Sequence, residues 1–244
     1  MDLPDVLLLV GGGLLAGSVN TMAGGGSMLT VPLLVLAGLP GDVANGSNRV
    51  GILASNLSAS ATFRRLGVSG LSRVLPVVIP VVVGSLTGSI LISWLPAESF
   101  ERAFGVLMVP LLVLSLRPPK VAAAVRPWSG TTAALVFFGV GCYAGAFQAG
   151  IGLLLVLTLS RSGLDLVVAN SVKVVVILMV TLTALPVFIV GGLVDWGPAL
   201  VLAAGFGVGG AMGARVTVEG GERLIRPVMS AAVLAMSGHL LGLY

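Results

Sequence analysis

The chain has 244 residues, of which 57 % are apolar and only 9 % charged, with a formal net charge of +4. Soluble domains carry about 25 % charged residues, so a soluble globular domain and a disordered chain are excluded. A single cysteine, Cys142, excludes an intrachain disulfide and a cysteine metal cluster. What remains is an all-α polytopic membrane protein, because in lipid the backbone polar groups must be satisfied within helices. The 35 glycines suit helices that pack closely or break.

The opening MDLPDVLLLV has two acidic residues and no basic stretch, and so does not read as a cleavable signal peptide. Apolar segments then run over 6–36, 43–63, 74–92, 103–116, 128–159, 166–190, 197–214 and 224–243. Six are single crossings by length. The first and fifth have about 31 residues, roughly 46 Å as straight helix, against a hydrocarbon core of about 30 Å. Both are interrupted by glycine, at GSVNTMAGGGSMLTVP (17–32) and GVGCYAGAFQAGIG (139–152). A pair of half-helices fits each better than one rod, and such a break is tolerated where protein or a wet cavity covers it. Two short full crossings give the same parity as a re-entrant hairpin.

The charges follow that parity. With both long segments entering and leaving by one side, the clusters Arg64/Arg65/Arg73, Arg117/Lys120/Arg126 and Arg215/Arg223/Arg226, with Arg161, fall on one face. The positive-inside rule makes that face cytoplasmic. Asp2, Asp5, Asp42, Glu98, Glu101 and Asp195 fall on the other, and Arg102 is the exception. Both termini are expected outside. Asp42 and Asp165 precede their helices as N-terminal caps.

The chain also matches itself. VANGSNRV (43–50) lies over VVANSVKV (167–174), an offset of about 124 residues that puts Ser47 on Ser171 and Arg49 on Lys173. Gly84-x-x-x-Gly88 lies over Gly209-x-x-x-Gly213, and Arg102 over Arg226. Parity gives the halves opposite orientation. The expected architecture is therefore an inverted repeat in a single membrane domain, each half a glycine-broken hairpin followed by three transmembrane helices. Half one is 1–116, a cytoplasmic linker 117–127, and half two 128–244. Transporters built this way hold substrate at the repeat interface near the midplane.

Candidate site residues lie at the breaks and at two intramembrane cations. Gly24, Gly25 and Gly26, with Asn20, Thr21 and Ser27 beside them, read as a backbone break whose N–H groups attract an anion, or as a tight packing surface. Pro32 is expected to end or kink the second half-helix. Gln148, Gly150 and Gly152 take the comparable place in the second hairpin. Tyr143 is a hydrogen-bond donor or a packed aromatic, and Cys142 a small packing residue rather than a reactive thiol. Arg49 and Lys173 are expected to supply positive potential to an anion path, or to snorkel to an interface; Asn45, Asn48 and Asn170 lie beside them. His239 reads as an interfacial or satisfied histidine rather than a proton relay. No acid lies deep in a span, which suits an anion rather than a cation. No nucleophile elbow, zincin motif or repeated Cys/His spacing is present, so no enzyme, metal or cofactor is expected.

The glycine-rich leader GSVNTMAGGGSMLTVPLLVLAGLP (17–40), ANGSNRV (44–50), GAFQAGIG (145–152), GSLTG (84–88) and GGAMG (209–213) together resemble the TauE/SafE family, the sulfite-exporter-like membrane permeases. The resemblance covers nearly the whole chain. It implies an inner-membrane permease for small sulfur-containing or organic anions such as sulfite, thiosulfate or sulfoacetate, with protons as the default coupling ion, for which no carboxylate is evident, or passive, potential-driven export. The second hairpin lacks the fuller glycine run of relatives. The expected mechanism is alternating access around an anion held by Asn20, Thr21, Ser27, Asn48 and Gln148. Rivals are an anion channel and a non-transporting scaffold or assembly protein. The partners expected are the anionic substrate and membrane lipids, and no nucleic acid; the sequence is compatible with a monomer and with a homodimer.

Overall fold

The computed structural model describes residues 2–68, 71–100, 102–104, 106–107, 129–160 and 166–240. Among these there is no β-strand. The helices are α1 (Leu3–Ala23), α2 (Gly26–Leu36), α3 (Gly41–Arg65), α4 (Leu71–Ser93), α5 (Gly130–Ala146), α6 (Ile151–Ser160), α7 (Leu166–Val190) and α8 (Trp196–Leu240). A further helical stretch begins at Ala97. The linker 117–127, Arg161 and Asp165 lie outside the described residues.

Both long apolar segments are broken where glycine predicts. Gly24 adopts a left-handed conformation (φ 84°) that ends α1, and α2 restarts at Gly26. Such a φ carries no Cβ penalty only at glycine. The chain then folds back on itself. Gly26 lies against Ala16 and Asn20, and Gly12 lies against Leu33, so α2 runs antiparallel beside α1. The second break spans 147–150, between α5 and α6. There Gln148 has φ 60° and Gly150 φ 72°.

The molecule is polar inside and apolar outside. Asn45, Asn48, Arg49, Asn170 and Lys173 are fully buried. Leu7, Leu15, Ile79, Leu91, Leu135 and Leu200 are exposed. In water that arrangement would be unstable; in hydrocarbon the exposed leucines are solvated and the polar groups are shielded. α1, α7 and residues Trp196–Gly220 of α8 are each long and apolar enough to cross a membrane. α3 has 25 residues, long enough as well, but its asparagines, serines and Arg49 make it too polar to qualify on hydropathy. Its polar positions from Asn45 to Asn56 are buried, so other helices surround that part of α3, while its C-terminal end is exposed.

Glycine contacts set the helix neighbours. On α4, a Cβ at Gly84 would collide with the Phe138 carbonyl and one at Gly88 with the Cys142 carbonyl, both on α5. On α8, a Cβ at Gly209 would collide with the Leu14 carbonyl, and one at Gly213 would come 2.6 Å from the Ser18 carbonyl, both on α1. Small residues allow this backbone approach, as in other membrane helix pairs. The partners match in register: Phe138 and Cys142 stand as far beyond Leu14 and Ser18 as the 124-residue frame requires. α4 thus packs on the second hairpin and α8 on the first.

Two local expectations fail, and for Pro32 only the ending of the helix is excluded. Residues 197–214 and 224–243 are not two crossings, because α8 is one helix from Trp196 to Leu240 and makes no turn at the polar gap. That gap holds Gly220 and Gly221 but no proline; each glycine costs a helix about 1 kcal/mol yet keeps its N–H donor. Pro32 does not end α2, which continues to Leu36. Asp42 is not the cap of α3. The N-cap is Pro40, and Asp42 sits in the first turn with its carboxylate accepting from the Val43 N–H at 2.8 Å.

Candidate functional site

The two breaks meet. A Cβ on Gly152, at the start of α6, would collide with Gly24. Two buried cations each reach the end of a broken helix far away in the chain. Arg49, on α3, reaches the C-terminal end of α5. Its guanidinium donates to the carbonyls of Ala144 (3.4 Å), Gly145 (2.5 Å) and Ala146 (3.1 Å) and to Gln148 Oε1 (2.9 Å). It also lies 4.1 Å over the Phe188 ring, a cation–π contact. Lys173, on α7, reaches the C-terminal end of α1. Its ammonium donates to the carbonyls of Asn20 (3.0 Å) and Thr21 (2.7 Å) and to Asn170 Oδ1 (2.6 Å).

Helix C-termini expose unpaired carbonyls and partial negative charge, and cations there are stabilising. Here Arg49 of α3 caps the end of α5, and Lys173 of α7 caps the end of α1. Ala144 and Gly145 follow Asn20 and Thr21 at the spacing by which Lys173 follows Arg49. Neither cation snorkels to an interface, since both are fully buried.

The second break is held by its own side chains. Tyr143 donates its hydroxyl to the Ala149 carbonyl. Gln148 accepts from Arg49 and donates through Nε2 to Thr181 Oγ1 at 2.7 Å. Both ends of the Gln148 amide are therefore occupied, and its positive φ, uncommon outside glycine, is fixed by them.

The first break is different. α2 has no side-chain cap, so the N–H groups of Gly25, Gly26 and Ser27 form an open, partly positive helix start. Asn20 flanks it, with Cγ 3.2 Å from where a Cβ of Gly26 would stand. Thr30, one turn in, donates to Asn48 Oδ1 at 2.6 Å. The buried donors Asn20 Nδ2, Asn48 Nδ2 and Arg49 Nε have no hydrogen-bond partner, and neither do the acceptors Asn45 Oδ1 and Ser55 Oγ. A buried unsatisfied group costs about 1–3 kcal/mol, so the unpaired donors at the first break (Asn20), on α3 (Asn48) and beside the second break (Arg49) mark places where something else accepts. No Asp or Glu whose burial is described is buried, and no cluster of metal-ligating side chains occurs among the described residues.

Contacts thus join Asn20, Thr21, Gly24, Gly26, Asn48, Arg49, Gln148 and Lys173 into one buried network. Gly25 is the N-cap of α2 and Ser27 is buried in its first turn. Tyr143 and Gly150 shape the second break. Thr181 and Phe188 escape sequence reasoning. Thr181 lies two turns beyond Lys173 on the same face of α7, a spacing that offers a signal; Phe188 offers none.

A helical bundle with a lipid-facing apolar skin and a buried polar network at two helix breaks is a multi-pass membrane protein with an internal site. The family model described as sulfite exporter TauE/SafE matches residues 9–240, and the chain belongs to this family of membrane transporters, which are not enzymes. It is 30 % identical to the "Probable membrane transporter protein YfcA" of Escherichia coli (strain K12) over 93 % of this chain and 86 % of the relative. It is 28 % identical to a "Probable membrane transporter protein" of Haemophilus influenzae, over 98 % of this chain and 95 % of the relative. It is 24 % identical to the "Probable membrane transporter protein ORF9" of a Sinorhizobium species, over 93 % and 88 %. No solved structure matches the chain.

Proposed function

We propose that the chain is a secondary transporter that moves a small sulfur-containing or organic anion, such as sulfite, thiosulfate or sulfoacetate, across the inner membrane by alternating access. The observation that carries this reading is the set of unpaired buried donors, Asn20 Nδ2 and Asn48 Nδ2 on residues that touch α2 and Arg49 Nε by the second break, together with the uncapped start of α2. An oxyanion accepts from all of them; a cation accepts from none. The N–H groups of Gly25, Gly26 and Ser27 complete its shell. Arg49 and Lys173 add two positive charges with no buried acid opposite them. Thr21, Gln148, Tyr143 and Gly150 hold the two breaks in register around it.

The halves 1–116 and 128–244 form an inverted repeat, and both hairpins are re-entrant. Its support is the matched exchange of cations and glycine contacts between halves. Alternation is a rocking of the halves across the α1–α8 and α4–α5 contacts. The ends bearing Arg64, Arg65 and Arg215 face the cytoplasm, and Asp42, Asp195 and the N-terminus lie outside. The Asp195 N–H donates to Ser47 Oγ at 2.9 Å, which puts the α7–α8 connection beside the start of α3. The outside C-terminus is not carried forward, because it required a turn that α8 does not make. Proton coupling is part of the proposal. A homodimer stays an expectation of the sequence.

The test is counterflow in proteoliposomes with sulfite, thiosulfate, sulfoacetate, sulfate and small carboxylates, under imposed pH and voltage gradients. Saturable anion flux driven by a pH gradient is expected. Flux of an inorganic cation or an uncharged sugar, with no anion moving, refutes the anion reading.

A further inference from the structure

Away from the interior site, the C-terminal end of α3 borders an open cavity of about 560 Å³, lined by Leu57, Ser60, Ala61, Arg64, Arg65 and Leu178. Its rim and floor differ in chemistry. Arg64 and Arg65 stand in the last turn of α3 and are exposed; the salt bridge found among the described residues involves neither. Ser60 lies one turn below. Leu57, half exposed, Ala61 and Leu178 of α7 make an apolar floor. From Leu57 to Arg65 the cavity follows α3 for about 12 Å.

We propose that this cavity is a binding site for one anionic phospholipid, whose phosphate lies on Arg64 and Arg65 and whose first acyl methylenes lie on Leu57, Ala61 and Leu178. Charge complementarity selects the occupant. Two arginines with no acidic partner among the described residues, at the end of a membrane helix, attract an anionic headgroup, and basic pockets between membrane helices are suited to such groups. The floor selects a lipid over a free ion. An inorganic phosphate replaces only a few waters at about 30 Å³ each, leaving most of the cavity and all of its apolar wall uncovered. A guanidinium pair also suits phosphate geometrically, since each planar fork donates two parallel hydrogen bonds.

The test uses the purified full chain, delipidated in mild detergent and titrated with phosphatidylglycerol or phosphatidylcholine of identical acyl chains. Native mass spectrometry counts the lipids retained. One phosphatidylglycerol per chain is expected at a concentration about tenfold below that needed for phosphatidylcholine. Arg64→Gln with Arg65→Gln removes that preference, whereas Arg215→Gln leaves it. Ala61→Trp fills the floor and lowers retention of phosphatidylglycerol at least tenfold with both arginines intact. Millimolar inorganic phosphate fails to displace the lipid. Equal retention of the two lipids, or an unchanged preference in the double variant, overturns the site. Displacement by phosphate together with normal retention in Ala61→Trp assigns the arginines to a free anion and overturns the lipid. If the double variant does not assemble, the Ala61→Trp chain decides: undiminished retention overturns the proposal.

Discussion

Replacing Lys173 by methionine keeps the length and most of the volume of the side chain and removes its charge. The ammonium makes three hydrogen bonds, to Asn20, Thr21 and Asn170. Taken as bonds to a charged group at about 1.5–3 kcal/mol each, they would sum to more than 4 kcal/mol. Polar contacts within membrane proteins average only about 0.6 kcal/mol, and removing the ion also removes several kcal/mol of desolvation penalty. The net loss expected is about 2 kcal/mol, concentrated at the C-terminal end of α1. By the rule of tenfold per 1.4 kcal/mol, hydrogen exchange of a peptide covering residues 18–28 should accelerate about 30-fold. A peptide covering 143–152 should hardly change. Arg49→Met should give the mirror result, loosening 143–152 and sparing 18–28. Loosening of both peptides by either substitution, or of neither, would refute reciprocal capping.

Asn48→Leu should raise the half-saturating anion concentration about tenfold. The same substitution should leave the substrate-free protein about as stable, because the unpaired buried donor it deletes offsets the lost Thr30 hydrogen bond, the Thr30 hydroxyl keeping the Gly26 carbonyl; melting temperature with and without sulfite reads both. Gly25→Val should abolish flux in correctly inserted protein, while Gly11→Val, with no atom near its Cβ position, should transport normally. Gly13 is no control for this comparison, since its Cβ would lie 2.7 Å from the Leu202 carbonyl. Gly84→Val and Gly209→Val should each collapse the yield of monodisperse protein on size exclusion, whereas Gly139→Ala, facing open space, should not. Cysteines introduced near Asp42 and Asp195 should label from outside, and one near Gly67 only from the cytoplasm; labelling of the Asp42 and Asp195 sites from opposite sides would sink the orientation.

Much of this was legible in the chain. A glycine triplet inside 31 apolar residues has little other use than a break, and Gly24 makes it. The intramembrane charges Arg49 and Lys173 announced themselves by their cost. What they touch was not legible, because their acceptors are backbone carbonyls lying 95 to 153 residues away, and a carbonyl has no letter. Tyr143 and Gln148 read as ligand groups although the Tyr143 hydroxyl closes the local turn and the Gln148 amide is taken up by Arg49 and Thr181. The continuity of α8 was hidden by charge: the Arg215–Arg223 stretch looks like a loop, but glutamate, arginine and valine sustain a helix once no proline interrupts them. Asp42 looked like a cap because its type favours that place; Pro40, with its fixed φ, took the position first.

The crossed caps also bear on how the protein is made. The carbonyls of Asn20 and Thr21 enter the membrane early, but their counter-charge lies 153 and 152 residues downstream. At about 5–20 residues per second, the ribosome needs roughly 8–30 s to deliver Lys173. During that interval the first hairpin must persist with an open end, held by Gly26 against Asn20 or sheltered by the insertion machinery. Maturation of the first half is therefore gated by translation of the second. A chain truncated before residue 173 should be recognised as unfinished, and two separately expressed halves should rescue each other only when both are present together.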